Sequence, residues 1–202
     1  RYHDAIRFLL FQESVLQFGG EVVMTKKSHP SGTDRMAEVA SKIKAQIYVN
    51  VQGDEPLITP EVIETLIKGI GKSPMATLVH EVESKAEFER PDVVKVIKNV
   101  RGEAIYFSRS PLPFLRKPGI PLWRHVGIYA FQADALRQFV RWKPSPLELA
   151  ESLEQLRAVE NGMPIRILET HFRCFGVDTP EDLIRVSKRL KRLGSQTKFK
   201  KR

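Results

Sequence analysis

The ten residues VNVQGDEPLI, at positions 49–58, constrain this chain more than any other stretch. Ile47, Val49 and Val51 make a β-branched apolar run. A run of this length between turn residues suits a strand at the centre of a parallel sheet, with helices over both faces. Gly53 lets the backbone turn or admit a ligand closely, and Pro56, with no N–H, biases Glu55 away from helix. Asp54 is thereby placed at a strand tip, where open α/β sheets bind their ligands. Two carboxylates in a turn can also do no more than solvate it, so the company Asp54 keeps has to decide.

That company is one α/β domain's worth of chain. At 202 residues and 42% apolar composition the sequence can bury a substantial core. Its single cysteine, Cys174, excludes an internal disulfide framework and a cysteine-built zinc site, and favours a reducing, cytoplasmic setting. No apolar run approaches the ~18 residues of a membrane span. The net charge of +9 suggests nucleic acid until it is located. Residues 187–202 hold eight Lys or Arg and no acid, leaving 25 basic and 24 acidic residues elsewhere. That basic tail lacks the interleaved aromatics of a stacking surface, so it reads as a solvated helix end and no specific nucleic-acid partner is expected.

Along the chain, residues 1–18 could form an amphipathic helix and residues 21–25 a short strand. Ser31-Gly32-Thr33 precedes a helix in which Met36, Val39, Ala40 and Ile43 share a face, with Thr33 the expected N-cap. Thr59-Pro60-Glu61 opens a helix to about Gly69 that buries Ile63, Leu66, Ile67 and Ile70. Residues 75–80 read as a strand, and 93–99 with 104–110 as an antiparallel hairpin around Arg101-Gly102. The proline-rich run FSRSPLPFLRKPGIP follows as an irregular excursion. Arg109 within it suits bidentate capture of carboxylate or phosphate, or equally a surface ion pair.

The strand WRHVGIYAFQ, residues 123–132, sets His125, Gly127, Tyr129 and Phe131 on one face and Val126, Ile128 and Ala130 on the other. An imidazole and a phenol flanking a glycine suit a polyhydroxylated ligand, although such residues also serve as hydrogen-bonded core groups. Ser145 and Glu148 form a capping box for a helix expected to run on through residue 162. In it Leu149, Leu153 and Leu156 face inward while Glu151, Glu154 and Gln155 share a face. After a last strand at residues 164–168, Asp178 lies between strand and helix, in the same kind of place as Asp54, ahead of a helix capped by Thr179.

QGDEP, SGTDR, FSR, RHVGIY and LEQLR together resemble segments of the sugar-nucleotide-forming cytidylyltransferases, most closely those acting on 3-deoxy-manno-octulosonate for lipopolysaccharide. The resemblance covers residues 19–190. It implies a three-layer α/β fold of the nucleotide-diphospho-sugar transferase, Rossmann-like kind: a mostly parallel sheet with helices on both faces and an antiparallel dimerisation excursion. It implies transfer from CTP to 3-deoxy-D-manno-octulosonate, giving CMP-Kdo and pyrophosphate in a homodimer. Asp54 and Asp178 would be the catalytic ligands of Mg2+. Ser31, Gly32, Thr33, Arg35 and Gln52 would meet the nucleotide, and Arg109, His125, Tyr129, Glu154 and Gln155 the sugar acid.

The family also carries a triphosphate-gripping loop ahead of these segments, so residues 1–202 are expected to be one domain, incomplete at its N-terminus, and slow in turnover as given. Three alternatives remain at this stage. One is a cytidylyltransferase for another acid sugar such as sialic acid, another an inactive dimerising remnant, and the third a polyanion binder using the tail.

Overall fold

The computed structural model describes residues 12–53, 55–117, 119–173, 176–177 and 180–199, the side chains of residue 182 and residues 192–199 excepted. Residues 12–17 are helical. The named elements follow as α1 (Gly32–Lys42), β1 (Ile47–Asn50), α2 (Pro60–Gly69), β2 (Met75–Glu81), α3 (Lys85–Glu89), β3 (Lys95–Lys98) and β4 (Ala104–Ser108). Then come β5 (Trp123–Gln132), α4 (Ala133–Phe139), α5 (Pro146–Glu151), α6 (Leu156–Glu160), β6 (Ile165–Glu169) and α7 (Pro180–Phe199). Among the described residues no helix is long and apolar enough to cross a membrane.

One six-stranded sheet has the order β4-β3-β5-β2-β6, with β1 also beside β5. β1, β2 and β3 run antiparallel to β5, and β6 runs parallel to β2. Strands β1, β2, β3 and β6 therefore point one way, against β5 and its fellow β4. Strand alternation then sorts the core into two layers. Tyr48, Met75, Val79, Tyr129, Phe131 and Ile165 pack on one face with α1, α4 and the α5–α6 region. Ala76, Leu78, Val126, Ile128 and Ala130 pack on the other, against Val62, Leu66 and Ile70 of α2. Both faces are covered by helices, the three-layer arrangement expected of the chain.

Several local expectations are corrected. β1 was expected amid parallel neighbours, yet its partner among the described residues is the antiparallel β5. The ten-residue β5, buried along most of its length, takes the central place instead. Helix α2 buries Val62, Leu66 and Ile70, while Ile67 is 45% exposed. The i, i+4, i+8 stripe is the one that lies flat on the sheet. Its approach is close, since a Cβ at Gly69 would sit 2.4 Å from Leu168 Cδ1.

Residues 21–25 form no strand. Their backbone is met instead by helix side chains: Lys42 Nζ donates to Met24 O (3.0 Å), and Arg35 Nη1 to Thr25 Oγ1 (2.6 Å) and Lys26 O (3.0 Å). Nor does one helix span 146–162. Ser152 adopts a left-handed conformation (φ 52°) that ends α5 and redirects the chain into α6. Leu149 is consequently 67% exposed, while Leu153 and Leu156 are buried as expected.

Candidate active site at a gap in the sheet

The site is built on an asymmetry of β5. Strand β2 covers one edge of it from Trp123 to Phe131. The other edge is shared end to end: β1 pairs with residues 129–132 and β3 with residues 123–124, and the His125 N–H donates to Val94 O (2.9 Å). Between them residues 126–128 have no strand on that edge among the described residues. β1 and β3 run in the same direction, so the carboxyl end of β1, with Asn50, Gln52 and Gly53, opens at this gap. No described atom lies within 4 Å of a Cβ placed on Gly127 or Gly53, so both glycines leave room there.

His125 and Tyr129 flank Gly127 as the strand alternation predicts, with ring centroids 5.3 Å apart. Both are buried. His125 Nε2 lies 2.9 Å from Thr77 Oγ1, whose hydroxyl also reaches Ile128 O (2.8 Å). Thr77 sits where the β2–β5 register shifts, and this irregularity brings its hydroxyl into the neighbouring strand's backbone. A hydroxyl donating to that carbonyl accepts from an Nε2–H imidazole, which leaves Nδ1 as the ring nitrogen that Thr77 does not engage. Burial holds the His125 pKa down at about 3, so the ring is neutral. Burial, with the Glu154 carboxylate nearby, pushes the Tyr129 phenol well above its usual range and keeps it a hydrogen-bonding alcohol.

The opposite wall is the loop into α1. Ser31, rather than Thr33, is the N-cap: its Oγ accepts from Asp34 N (3.1 Å). Helix α1 thus begins at Gly32, two residues earlier than expected, and Thr33 is buried in its first turn. Ser31 Oγ also lies 2.8 Å from Glu154 Oε1, a contact across 123 positions of sequence. Burial raises the Glu154 pKa, against the opposing hydrogen bonds from Ser31 and Thr33. Among the described residues the Nε2 of buried Gln155 has no partner, and neither has the buried Nδ2 of Asn50 at the tip of β1.

The structure therefore brings together Ser31, Gly32, Thr33, His125, Tyr129 and Glu154, with Gln155 next in the chain after Glu154. It commits Arg35 and Arg109 to other partners and leaves Gln52 exposed at the mouth of the gap. Arg35 is committed to Thr25 and Lys26, clasping the incoming chain, and Gln52 is exposed in the turn closed by Glu55 N to Gln52 O (3.2 Å). Arg109 donates through Nε to Glu151 O (2.8 Å) and through Nη1 to Pro91 O (3.2 Å), contacts that anchor it to the backbone. The Glu151 carboxylate meanwhile takes Ser108 Oγ (2.6 Å) and Arg109 N (3.0 Å). Glu151 thus faces β4 rather than sharing a surface with Glu154 and Gln155, because Ser152 turns the chain between them. Asp54 and Asp178 lie outside the described residues. Among those described, no group of three or more His, Cys, Asp or Glu is placed to hold a metal.

Three participants escaped the sequence reading. Asn50 gave a signal, being a strand-disfavoured amide at the end of an apolar run. Thr77 and Lys95 gave none, because each matters through contacts distant in sequence. Lys95 is fully buried, its ammonium donating to Arg90 O (2.8 Å), Val93 O (2.5 Å) and Arg109 O.

A three-layer sheet with a polar gap at strand ends defines a nucleotide-sugar transferase type of fold. 4-Diphosphocytidyl-2C-methyl-D-erythritol synthase from Anaerococcus prevotii shares that fold, at 11% identity and a TM-score of 0.57 over 90% of this chain and 76% of that one. More specifically, the chain belongs to the cytidylyltransferase family, whose model matches residues 10–167, and within it to the 3-deoxy-manno-octulosonate cytidylyltransferases.

The relative from Geobacter sulfurreducens is 47% identical over 89% of this chain and 78% of its own length. That from Solibacter usitatus is 49% identical over 86% and 71%. A solved structure of CMP:2-keto-3-deoxy-manno-octonic acid synthetase complexed with CTP superposes with a TM-score of 0.85 at 44% identity, covering 90% of this chain and 76% of that one.

Proposed function

We propose that this protein transfers the cytidylyl group of CTP to 3-deoxy-D-manno-octulosonate, yielding CMP-Kdo and pyrophosphate, as a step in lipopolysaccharide biosynthesis. The observation that carries this reading is the convergence of Ser31 from the start of α1, His125 and Tyr129 from β5, and Glu154 from the turn between α5 and α6. The sugar's anomeric oxygen attacks the α-phosphorus, a P–O bond forms there, and the bond from that phosphorus to the bridging oxygen of the β-phosphate breaks. Pyrophosphate departs with the bonding pair, and the hydroxyl proton passes to solvent. No covalent enzyme intermediate is required, so the side chains act by positioning and by excluding water.

Within that scheme Ser31, Gly32 and Thr33, at the first turn of the eleven-residue α1, offer backbone and hydroxyl groups to the cytidine. Arg35 holds that turn to the incoming chain, and Gln52 lies beside the strand tip. Neutral His125 and un-ionised Tyr129 hydrogen-bond the sugar's oxygens without adding charge. Glu154 and Gln155 take its hydroxyls, and Arg109, held by Glu151 O and Pro91 O, would reach the sugar's carboxylate only by leaving those contacts. Asp54 and Asp178 would hold magnesium, a hard cation satisfied by one or two carboxylates with phosphate and water. When bound, it supplies polarisation of the α-phosphate and offsets the charge that develops there. Support for this pair is positional: Asp54 follows the end of β1 by four residues and Asp178 precedes α7 by two.

The excursion after β4 supports a homodimer. Phe114 is 89% and Ile120 56% exposed, and a groove of about 620 Å³ lined by Val82, Phe88, Pro111 and Leu122 lies beside Phe114. The reading places the protein in the cytoplasm, where CTP is available. Its test is pyrophosphate release by the full-length gene product from CTP, magnesium and 3-deoxy-D-manno-octulosonate, run beside sialic acid and beside UTP. Turnover confined to CTP with the octulosonate is expected, and a preference for sialic acid would overturn the substrate.

A further inference from the structure

Asn50 is the polar group at this site that the reaction scheme leaves unused. Its Nδ2 is buried and has no hydrogen-bond partner among the described residues. A buried donor left unmet is destabilising, so a native fold that keeps one needs a reason. Local structure supplies none, because Asn is disfavoured in strands and Asn50 caps nothing.

Its position does supply one. Asn50 pairs directly with Tyr129 across the β1–β5 ladder, and directly opposed residues project to the same face with Cβ atoms ~5 Å apart. The amide therefore stands beside the phenol at the gap. On its other side it approaches α1: a Cβ at Gly32 would lie 3.5 Å from Asn50 Nδ2, in van der Waals contact with the amide. Glu154, the nearby carboxylate, accepts from Ser31 and makes no hydrogen bond to the amide.

We propose that Asn50 is a specificity-determining residue, its side-chain amide donating a hydrogen bond to an oxygen of the acid sugar seated against Tyr129. This rests on the cytidylyltransferase reading above and adds to it a recognition contact from β1, the strand that also delivers Asp54. A donor facing an anionic, hydroxyl-rich substrate selects for it twice, by pairing with an oxygen and by keeping a second carboxylate away from its charge.

Steady-state kinetics of Asn50→Asp and Asn50→Ala in the full-length gene product, with CTP and 3-deoxy-D-manno-octulosonate each varied, test the assignment. Asn50→Asp keeps the side-chain shape, and its KM for the octulosonate is expected to rise by about tenfold or more. Asn50→Ala is expected to show a smaller rise, and KM for CTP should stay within about twofold in both. Direct calorimetric titration of the octulosonate into Asn50→Ala gives the same comparison should the aspartate variant fold poorly. A raised KM for CTP with an unchanged sugar KM would assign the amide to the nucleotide and overturn the proposal. Unchanged values for both substrates would overturn it too. Wild-type protein that releases no pyrophosphate with either acid sugar would instead overturn the underlying reading, before any variant is compared.

Discussion

Two polar clusters of the molecule differ in how completely they are satisfied. Around Lys95, Ser108, Arg109 and Glu151 the donors are matched: three carbonyls receive the Lys95 ammonium, and both Glu151 carboxylate oxygens are occupied. Around Ser31, Asn50, Tyr129, Glu154 and Gln155 the network is unfinished, with two buried amides lacking partners among the described residues and a carboxylate under desolvation. The closed cluster is scaffold, fixing the β3–β4 hairpin to the turn at Ser152. The open one is shaped for something that arrives from outside. Buried polar groups are costly when half-satisfied, so a fold retains them chiefly where a ligand completes them.

The contrast is sharpest for Lys95→Ala, which attacks the closed cluster. It leaves three carbonyls without their donor and a cavity in their midst, and it should cost on the order of 3 kcal/mol of stability. The measurement is the shift in denaturant midpoint at constant slope. An unperturbed midpoint would show that the cluster contributes nothing to the scaffold and would remove the distinction drawn here.

Glu154→Gln probes the open cluster and should behave in the opposite way. Burial raises the pKa of this carboxyl, so the folded state binds its proton more tightly than the unfolded state does. Its stability contribution is therefore lost as pH rises through that range, and at neutral pH the ionised group is a burden. The glutamine variant should melt no lower than wild type, while its KM for the sugar acid rises by about tenfold. Thermal melts and substrate titrations on one preparation check both halves. A large loss of stability would make Glu154 part of the scaffold.

These clusters also mark how far the sequence could be read. Period and caps are local, so α2, the Ser145–Glu148 box, the β3–β4 hairpin and the opposed faces of β5 follow from neighbouring residues. His125 and Tyr129 were legible because a strand's alternation fixes their shared face. The Ser31–Glu154 contact was not, since it joins residues 123 positions apart. The break at Ser152 was hidden because a non-glycine residue there adopts φ 52°. Lys95 was hidden because a lysine in a short strand reads as solvent-facing. Residues 21–25 alternate like a strand yet find helix side chains where a strand would have stood.

The smallest effect near neutral pH, and the most diagnostic in sign, concerns His125, which sits at the border of the two clusters through its contacts with Phe107 and Tyr129. Burial depresses its pKa to about 3 from 6.5, so between these values the unfolded chain binds a proton that the folded chain refuses. Stability then increases with pH across that window: the contribution is present in full above pH ~6.5 and is lost as pH falls toward 3. Replacing His125 with Gln removes the titration while keeping a donor for Thr77 Oγ1, so the variant's stability should fall less steeply between pH 6.5 and 4.5 than that of wild type. Because the ring is neutral throughout the working range, the same comparison predicts that any inflection in kcat/KM near pH 6.5 survives in His125→Gln, at reduced amplitude. Parallel stability slopes in the two proteins would mean that the imidazole is solvated and titrates freely, which would move His125 out of the core and into the open cluster as a charged partner for the sugar's carboxylate.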